Sequence, residues 1–550
     1  MLFMRTNTCI VAVVAEGREH QLPNFDAVVV GAGFAGMYML YRLRNAGFSV
    51  RVYEAGDGVG GTWYWNRYPG ARCDVESLEY SYSFSEELQQ EWNWTERFAT
   101  QPEILRYLNH VADRFELRRD IALNTTVLSA TYDEDVQLWH VGLHDGSAVT
   151  ARFVVLAGGC LSQARTPAFP GLDSYLGRAF HTGDWPVEGV DFAGQRVGII
   201  GTGSSGVQVI PLIADEAAHT FVFQRTPNFT MPARNQPLTA DKIDYYKRNY
   251  PELRAKARTT ANGTLRHVYP EAAVGTPLED IRARYEEQWG YGSNDIIVSY
   301  RDLTTVQEAN DTLADYLRDK VRSIVADPAV AESLTAQTYP VGAKRMCLGT
   351  DYYETFNRPD VTLVDLRKES LDAVTPNGIR TTEREYELDA IVFATGFDAI
   401  TGAILRIDIH GRGGRSLRED WADGPHTYLG VGSAGYPNLF FITGPGSPSV
   451  LSNVVVSIEQ HVEWIADHLE YLRKHDLSTT EASLAAQDEW VAHVNEVAGR
   501  TLMLKAASWY LGANVPGKPR VFMPYVGGVG NYRAICDSVA EDGYRGFELR

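Results

Sequence analysis

A chain of 550 residues is too long for a single hydrophobic core and is expected to divide into two to four domains. Its 44% apolar and 22% charged content is that of an ordinary globular protein, and a net charge of −19 without any Lys/Arg-rich run argues against nucleic acid or an anionic membrane as the main partner. The 5 cysteines (Cys9, Cys73, Cys160, Cys347 and Cys536) form neither a CxxC nor a zinc spacing, so reduced thiols in a cytoplasmic setting are expected, with no metal.

The apolar run CIVAVVA (9–15) is too short to cross a bilayer and reads as part of a loose N-terminal extension, residues 1–24. The segment FDAVVVGAGFAGMYMLYRLRNAGFSVRVYEAG then reads as a buried strand, a glycine turn, an amphipathic helix ending at Gly47 and a second strand ending at Glu54. In GAGFAG, Gly31 permits the tight turn, Gly33 lets the backbone approach a pyrophosphate, and Gly36 allows close helix–strand packing. The phosphates would sit at a helix N-terminus, and Glu54 stands where a carboxylate can accept from a ribose hydroxyl pair. The strand FVVLAGG (153–159) follows.

Next comes YLGRAFHTGDWP (175–186), which crowds His181 and Trp185 among Gly and Pro. Neither Cys nor a second His lies within ligand spacing of His181, which leaves a general base or a packed core histidine. The second unit, QRVGIIGTGSSGVQVIPLIADEAAHTFVFQRT, repeats the first with Gly201, Gly203, Ser204, Ser205 and Gly206 in its turn, but its second strand ends in Arg225 and Thr226 instead of an acid. A carboxylate there would repel a 2′-phosphate, whereas a guanidinium can bind one; the bland alternative for Arg225 is a solvated strand end. Between about 230 and 335 the pattern turns helical, as in NDTLADYLRDKVRSIVAD, where Leu313, Leu317, Val321 and Ile324 share a face. Strand character returns at VTLVDL (361–366) and DAIVFATGF (389–397).

The expected fold is therefore α/β, with two Rossmann-like dinucleotide-binding domains. Residues 25–165 form the first part of an FAD domain and 166–388 an NADP domain carrying the helical insertion; 389–550 complete the FAD domain. A first site without a 2′-phosphate ligand and a second suited to NADPH suggest that NADPH reduces a bound flavin, FAD. Disulfide reductases and flavin monooxygenases both do this. A reductase needs a reactive dithiol, which the cysteine spacing does not provide, so O2 is the expected oxidant.

Several segments in this order, GGTWYWNRYPGARCDVES (60–77), YLGRAFHTGDWP, GTGSSG, FVFQRT, VGAKRM (341–346), FATGF, GPGSPSVLSN (444–453) and SWYLGANVPGKPRVFMPYVGG (508–528), resemble the type I Baeyer–Villiger monooxygenases, in particular their phenylacetone and steroid branches. The segment around His181 is similar to the family fingerprint FxGxxxHxxxW followed by Pro or Asp, with Tyr175 in place of the usual Phe. The resemblance implies that this stretch joins the two cofactor domains, with His181 and Trp185 organising the joint.

It further implies conversion of a ketone to an ester or lactone: NADPH reduces FAD, O2 adds to the flavin, and the deprotonated C4a-peroxide attacks the carbonyl. Both the peroxide and its adduct carry negative charge, so a fixed cation is the main contribution asked of the protein, and Arg holds its proton better than Lys. The resemblance assigns that cation to Arg345, its partner to Asp74, and an NADP phosphate contact to Lys344. Without it, Lys344 and Arg345 read as a solvated pair and Asp74 as a helix cap. It also implies FAD contacts from Thr62, Trp63, Tyr64, Trp65, Tyr80 and the Val127 backbone, and closure over NADP by Trp509. Val454 stands where relatives often place Met beside the flavin, and SPSVLSN (447–453) is expected to line a pocket for aryl-alkyl, cyclic or fused-ring ketones. Two alternatives stay open: a flavin monooxygenase acting on sulfur or nitrogen, and a non-enzymatic NADP-sensing flavoprotein. A monomer is expected, with a small ketone as its partner.

Overall fold

The computed structural model describes residues 24–550; the run CIVAVVA, Cys9 and the expected extension as far as residue 23 lie outside the described residues. Two parallel-cored sheets stand at the centre of two cofactor-sized halves. In the first, Asn24–Val30 runs between Val50–Tyr53 and the long strand Ala148–Leu156, parallel to both. Residues Ala27, Val28 and Val29 have no exposed surface, as expected of a strand covered on both faces.

One edge of Ala148–Leu156 is shared by two partners. Leu138–Leu143 pairs antiparallel with its first half, and Leu439–Phe441 pairs parallel with Val154, Val155 and Leu156. The chain therefore returns to the first sheet near its C-terminus. The long helix Val454–Lys474 then packs on Phe34–Asn45, tied by an Arg42–Asp467 ion pair at 3.0 Å.

The second sheet is wholly parallel, in the order Val361–Asp365, His219–Gln224, Arg196–Ile200, Ala390–Phe393, Arg178–His181. This places the strand of DAIVFATGF within the second sheet, paired with Arg196–Ile200 on one side and Arg178–His181 on the other. The expected domain boundary at 389 is thus corrected: the return to the first half begins after Phe393. An apolar strand reads alike in either sheet, and only its pairing partners distinguish them.

Between His219–Gln224 and Val361–Asp365 lie the helices Ala240–Ala257, Leu278–Tyr291, Gln307–Ile324 and Pro328–Leu334. The stripe on Gln307–Ile324 behaves as its spacing predicts, with Leu313, Leu317 and Val321 buried and Ile324 partly so. The two ends of the insertion are closed by a parallel pair, Thr230–Pro232 with Cys347–Gly349, which brings the residues just before Cys347 back to the nucleotide turn.

The two chain crossings between the halves run side by side. Ala164 and Phe397 form a bridge, the Arg165 N–H donates to the Gly396 carbonyl at 3.1 Å, and the Asp398 and Ile400 N–H groups donate to Gln163 and Cys160 at 2.9 and 2.8 Å. Among the described residues, no helix is long and apolar enough to cross a membrane.

Candidate active site

Both glycine turns have the geometry their spacing implies. Gly31 and Gly201 adopt φ of +102° and +110°, and a Cβ at either would lie 2.8 or 2.4 Å from the carbonyl oxygen of Ala157 or Ala394 on the neighbouring strand. A Cβ at Gly36 or Gly206 would fall 1.8 or 2.2 Å from the carbonyl oxygen of the first glycine, so only glycine lets helix and strand meet. The middle glycines differ. A Cβ at Gly33 would sit 3.3 Å from the Gly61 Cα, whereas one at Gly203 meets nothing within 4 Å. Gly33 therefore answers partly to the protein's own backbone, and Gly203 leaves an open approach.

The helices Phe34–Asn45 and Ser204–Glu216 begin at Gly33 and Gly203 without a side-chain cap, leaving first-turn N–H groups available to an anion. Glu54 is buried, and its two carboxylate oxygens accept from the N–H groups of Ala32 at 2.7 Å and Gly56 at 2.9 Å. Burial pushes its pKa up, against those hydrogen bonds. Glu54 thus fastens the turn, and its remaining acceptor capacity is what a ribose would meet.

Around the first turn, Thr62–Trp65 forms one helical turn after Gly61, whose φ is +53°. Trp63 is buried and donates its indole N–H to the Tyr80 hydroxyl at 3.2 Å; Tyr64 bonds Asp57 and stands edge-on to Trp65 at 4.8 Å. Asn66 bonds the Thr62 carbonyl at 2.9 Å, holding the turn closed. Val127 opens the strand Val127–Asp133 at a register irregularity opposite Leu143. Val454 is the first residue of its helix, half-buried, behind the buried Asn453, whose amide donates to the Glu79 carbonyl at 2.9 Å. That bond places Val454 beside the Tyr80 segment, and Asn453 is a positioning residue that motif reading passed over.

At the second turn, Ser204 lies near the Cys347 thiol at 3.6 Å, Ser205 meets the Tyr68 hydroxyl, and the Thr226 carbonyl accepts from Thr202 at 3.3 Å. Arg225 is exposed and close enough to Lys344 for its charge to add to the burial that lowers the lysine pKa. Among the described residues neither forms an ion pair with an acid, so two cations converge with no protein counter-charge. We expect Arg225→Ala to raise KM for NADPH roughly 10- to 100-fold, the size of one lost charge-assisted contact, and to leave KM for NADH nearly unchanged. Equal changes for both cofactors in steady-state assays would show that Arg225 does not read the 2′-phosphate.

Arg345 and Asp74, 271 residues apart in sequence, meet in a two-pronged contact: Nε and Nη2 donate to the carboxylate at 2.8 Å each. The third prong, Nη1, donates to the Val450 carbonyl at 2.8 Å, tying the guanidinium to the SPSVLSN loop. The neighbouring carboxylate raises the arginine pKa even against burial; for Asp74, burial pushes up but the guanidinium prevails and holds the carboxyl below its usual range. Both groups are charged at neutral pH. The guanidinium also influences Cys73 and Tyr80 of the first half and Tyr510 of the C-terminal segment, so it stands where all three meet. Tyr510 is a site residue that motif reading missed; its signal was adjacency to Trp509, which packs on it at 4.4 Å. Burial pushes the Tyr510 hydroxyl up to about 12 while the arginine opposes.

His181 lies at the two crossings. Its Nδ1 accepts from the Gly183 N–H at 2.9 Å, so the ring proton is on Nε2, which faces the Arg165 carbonyl at 3.2 Å and Thr395 at 3.3 Å. Burial lowers its pKa, and the neutral ring bridges both interdomain strands. Trp185 packs with Phe180 and Phe192 beneath the edge strand. Tyr175 keeps an aromatic ring in the apolar cluster around Leu388 and uses its additional hydroxyl to donate to the Leu388 carbonyl at 3.0 Å. The change from Phe thus adds a tether within the second half and does not touch the crossing itself.

Residues 28–264 match the pyridine nucleotide-disulphide oxidoreductase family, which accounts for the paired dinucleotide turns. A Baeyer–Villiger monooxygenase of Pseudooceanicola batsensis is 44% identical over 527 residues, spanning 95% of each chain. The structure of an oxidised steroid monooxygenase bound to NADP superposes with a TM-score of 0.92 at 51% identity, over 96% of this chain and 99% of that one. The chain belongs to the Baeyer–Villiger monooxygenases. FAD and NADP are its cofactors, and the uncapped helix starts, the open face of Gly203 and the unpaired cations fit them. A phenazine N-monooxygenase of Lysobacter antibioticus is also 40% identical over 530 residues, covering 96% of this chain and 97% of its own. Membership therefore does not by itself choose between carbon and nitrogen chemistry.

Proposed function

We propose that the chain uses NADPH and O2 to convert ketones of aryl-alkyl, cyclic or fused-ring type to esters or lactones. When bound, the flavin reduced by NADPH supplies the activated oxygen. The single observation that carries the ketone reading is Arg345: a guanidinium held on three hydrogen bonds, two of them to Asp74 of the first half and one to Val450 of the SPSVLSN loop. Oxygen insertion beside a carbonyl develops negative charge on the ketone oxygen, and a cation already fixed there stabilises it without reorganisation. Oxidation of nitrogen or sulfur develops no such oxyanion and gains little from this arrangement.

The remaining residues serve that event. Asp74 fixes the plane of the guanidinium and keeps it charged; Val450 links it to the loop that would line the ketone pocket, where Ser447, Ser449 and Val450 are buried. Tyr510 stands against the arginine with Trp509 packed on it, which helps exclude water from the reacting oxygen. His181 holds the two crossings in one arrangement.

Incubation with NADPH and air, using phenylacetone, cyclohexanone and a 20-keto steroid separately, should give an ester or lactone from at least one. Hydrogen peroxide alone from all three would overturn the ketone reading, and an N-oxide from a phenazine in the same assay would favour the nitrogen branch.

A further inference from the structure

Lys344 is the half-buried member of the two converging cations, and among the described residues its ammonium donates to no carboxylate and no carbonyl. What the protein offers it instead is a ring face: Nζ stands 4.8 Å from the centre of the Tyr339 ring. Burial and the neighbouring Arg225 both work against the charge on Lys344. An aromatic face works for it, because the ring quadrupole replaces some of the lost hydration without bringing a counter-ion that would compete with a phosphate.

Tyr339 is itself buried and fixed on several sides. Its hydroxyl donates to the Pro227 carbonyl at 2.8 Å, with the Asn228 side-chain oxygen at 3.2 Å, and the Asn228 amide donates in turn to the Thr202 carbonyl at 2.7 Å, between Gly201 and Gly203. The ring stands edge-on to Phe229 at 5.5 Å. Two residues further on, the fully buried Asn310 of the helix Gln307–Ile324 clamps Val341, accepting from its N–H and donating to its carbonyl at 2.9 Å each. The helical insertion thus delivers one aromatic face to the segment that follows Arg225.

We propose that Tyr339 is a positioning residue that determines cofactor specificity: its ring face holds the Lys344 ammonium beside Arg225, so that the helical insertion contributes to the preference for NADPH over NADH. The inference rests on Arg225 and Lys344 receiving the 2′-phosphate. Without the ring, a flexible lysine repelled by Arg225 would turn toward water, and the phosphate would have to gather it back on binding. NADH lacks that phosphate and should not sense the ring.

The test takes the full-length FAD holoenzyme and obtains dissociation constants for NADPH and NADH from the concentration dependence of anaerobic flavin reduction, which needs no ketone. Lys344→Met should weaken NADPH about 10- to 100-fold and leave NADH within about twofold of the parent. Tyr339→Met should weaken NADPH about tenfold, with NADH and the limiting reduction rate within about twofold, whereas Tyr339→Phe keeps the ring and should stay within about threefold for both cofactors. Pentafluorophenylalanine at position 339 serves should Tyr339→Met fail to fold: it keeps the ring volume, inverts the quadrupole and should weaken NADPH about tenfold as well. Added to Lys344→Met, Tyr339→Met should cost less than about a further twofold, because the ring acts through the ammonium. Equal weakening of NADPH and NADH by Tyr339→Met, a fluorinated ring that binds NADPH as tightly as Tyr339→Phe, or effects that multiply in the double variant would overturn the proposal. An NADPH preference left intact by Lys344→Met would remove the phosphate reading and the proposal together, while a preference lost in Lys344→Met but kept in Tyr339→Met would remove the proposal alone.

Discussion

Arg345→Ala is expected to bind FAD and to be reduced by NADPH at close to the parent rate, yet to form ester about 10²–10³-fold more slowly, with hydrogen peroxide released in its place. Neither glycine turn nor the Arg225 and Lys344 pair depends on the guanidinium, which is why binding and reduction survive. The loss at the oxygenation step has two causes. The fixed positive charge is gone, and Asp74 is left as a partly buried carboxylate without its partner, adding negative charge where negative charge must develop. Asp74→Ala should cost less, about tenfold, since the guanidinium keeps its charge and its bond to Val450. Anaerobic stopped-flow reduction followed by product quantification after mixing with air separates the steps. Ester formation by Arg345→Ala within threefold of the parent would remove Arg345 from the chemistry.

The second large effect concerns two glycines only three residues apart. Gly203→Ala should fold normally, with stability within about 0.5 kcal/mol, because Gly203 has φ of −81°, in the ordinary range, and its Cβ would meet no protein atom within 4 Å. A methyl group there would meet only a bound dinucleotide, so KM for NADPH should rise at least about tenfold, a cost of roughly 1.4 kcal/mol. Gly206→Ala should instead lose about 1–3 kcal/mol of stability and all use of NADPH, since its Cβ would lie 2.2 Å from the Gly201 carbonyl oxygen and must prise the helix from the strand. Both variants should retain FAD, whose turn at Gly31, Gly33 and Gly36 is untouched. Thermal melting, flavin absorbance and NADPH titration decide the matter; an unchanged KM in Gly203→Ala would mean that the pyrophosphate does not approach this turn.

Local features were legible without coordinates because they rest on local constraints. A left-handed glycine, a helix that must touch its strand and a buried apolar strand each leave a mark within a few residues, so both nucleotide units and the helical insertion could be traced in the chain. The pairing of Arg345 with Asp74 could not be read from spacing and came from family resemblance, since nothing local in GARCD or VGAKRM distinguishes an ion pair at the heart of a site from two solvated charges. Asn453 left no mark of its own and Tyr510 only its place beside Trp509, because each acts through a partner in a distant part of the chain.

What the sequence by itself determined is the chemistry on offer: two dinucleotide turns of opposite phosphate preference, no dithiol, and an arginine in a family setting. Only the tertiary structure decided where those elements act. It showed that Gly33 faces Gly61 while Gly203 faces open space, that Ala390–Phe393 belongs to the second sheet, and that the His181 ring spans the pair of crossings. The physical reason is that such contacts depend on how separate segments return to one another, and strand pairing, burial and side-chain reach exist only after the chain has crossed between its two halves.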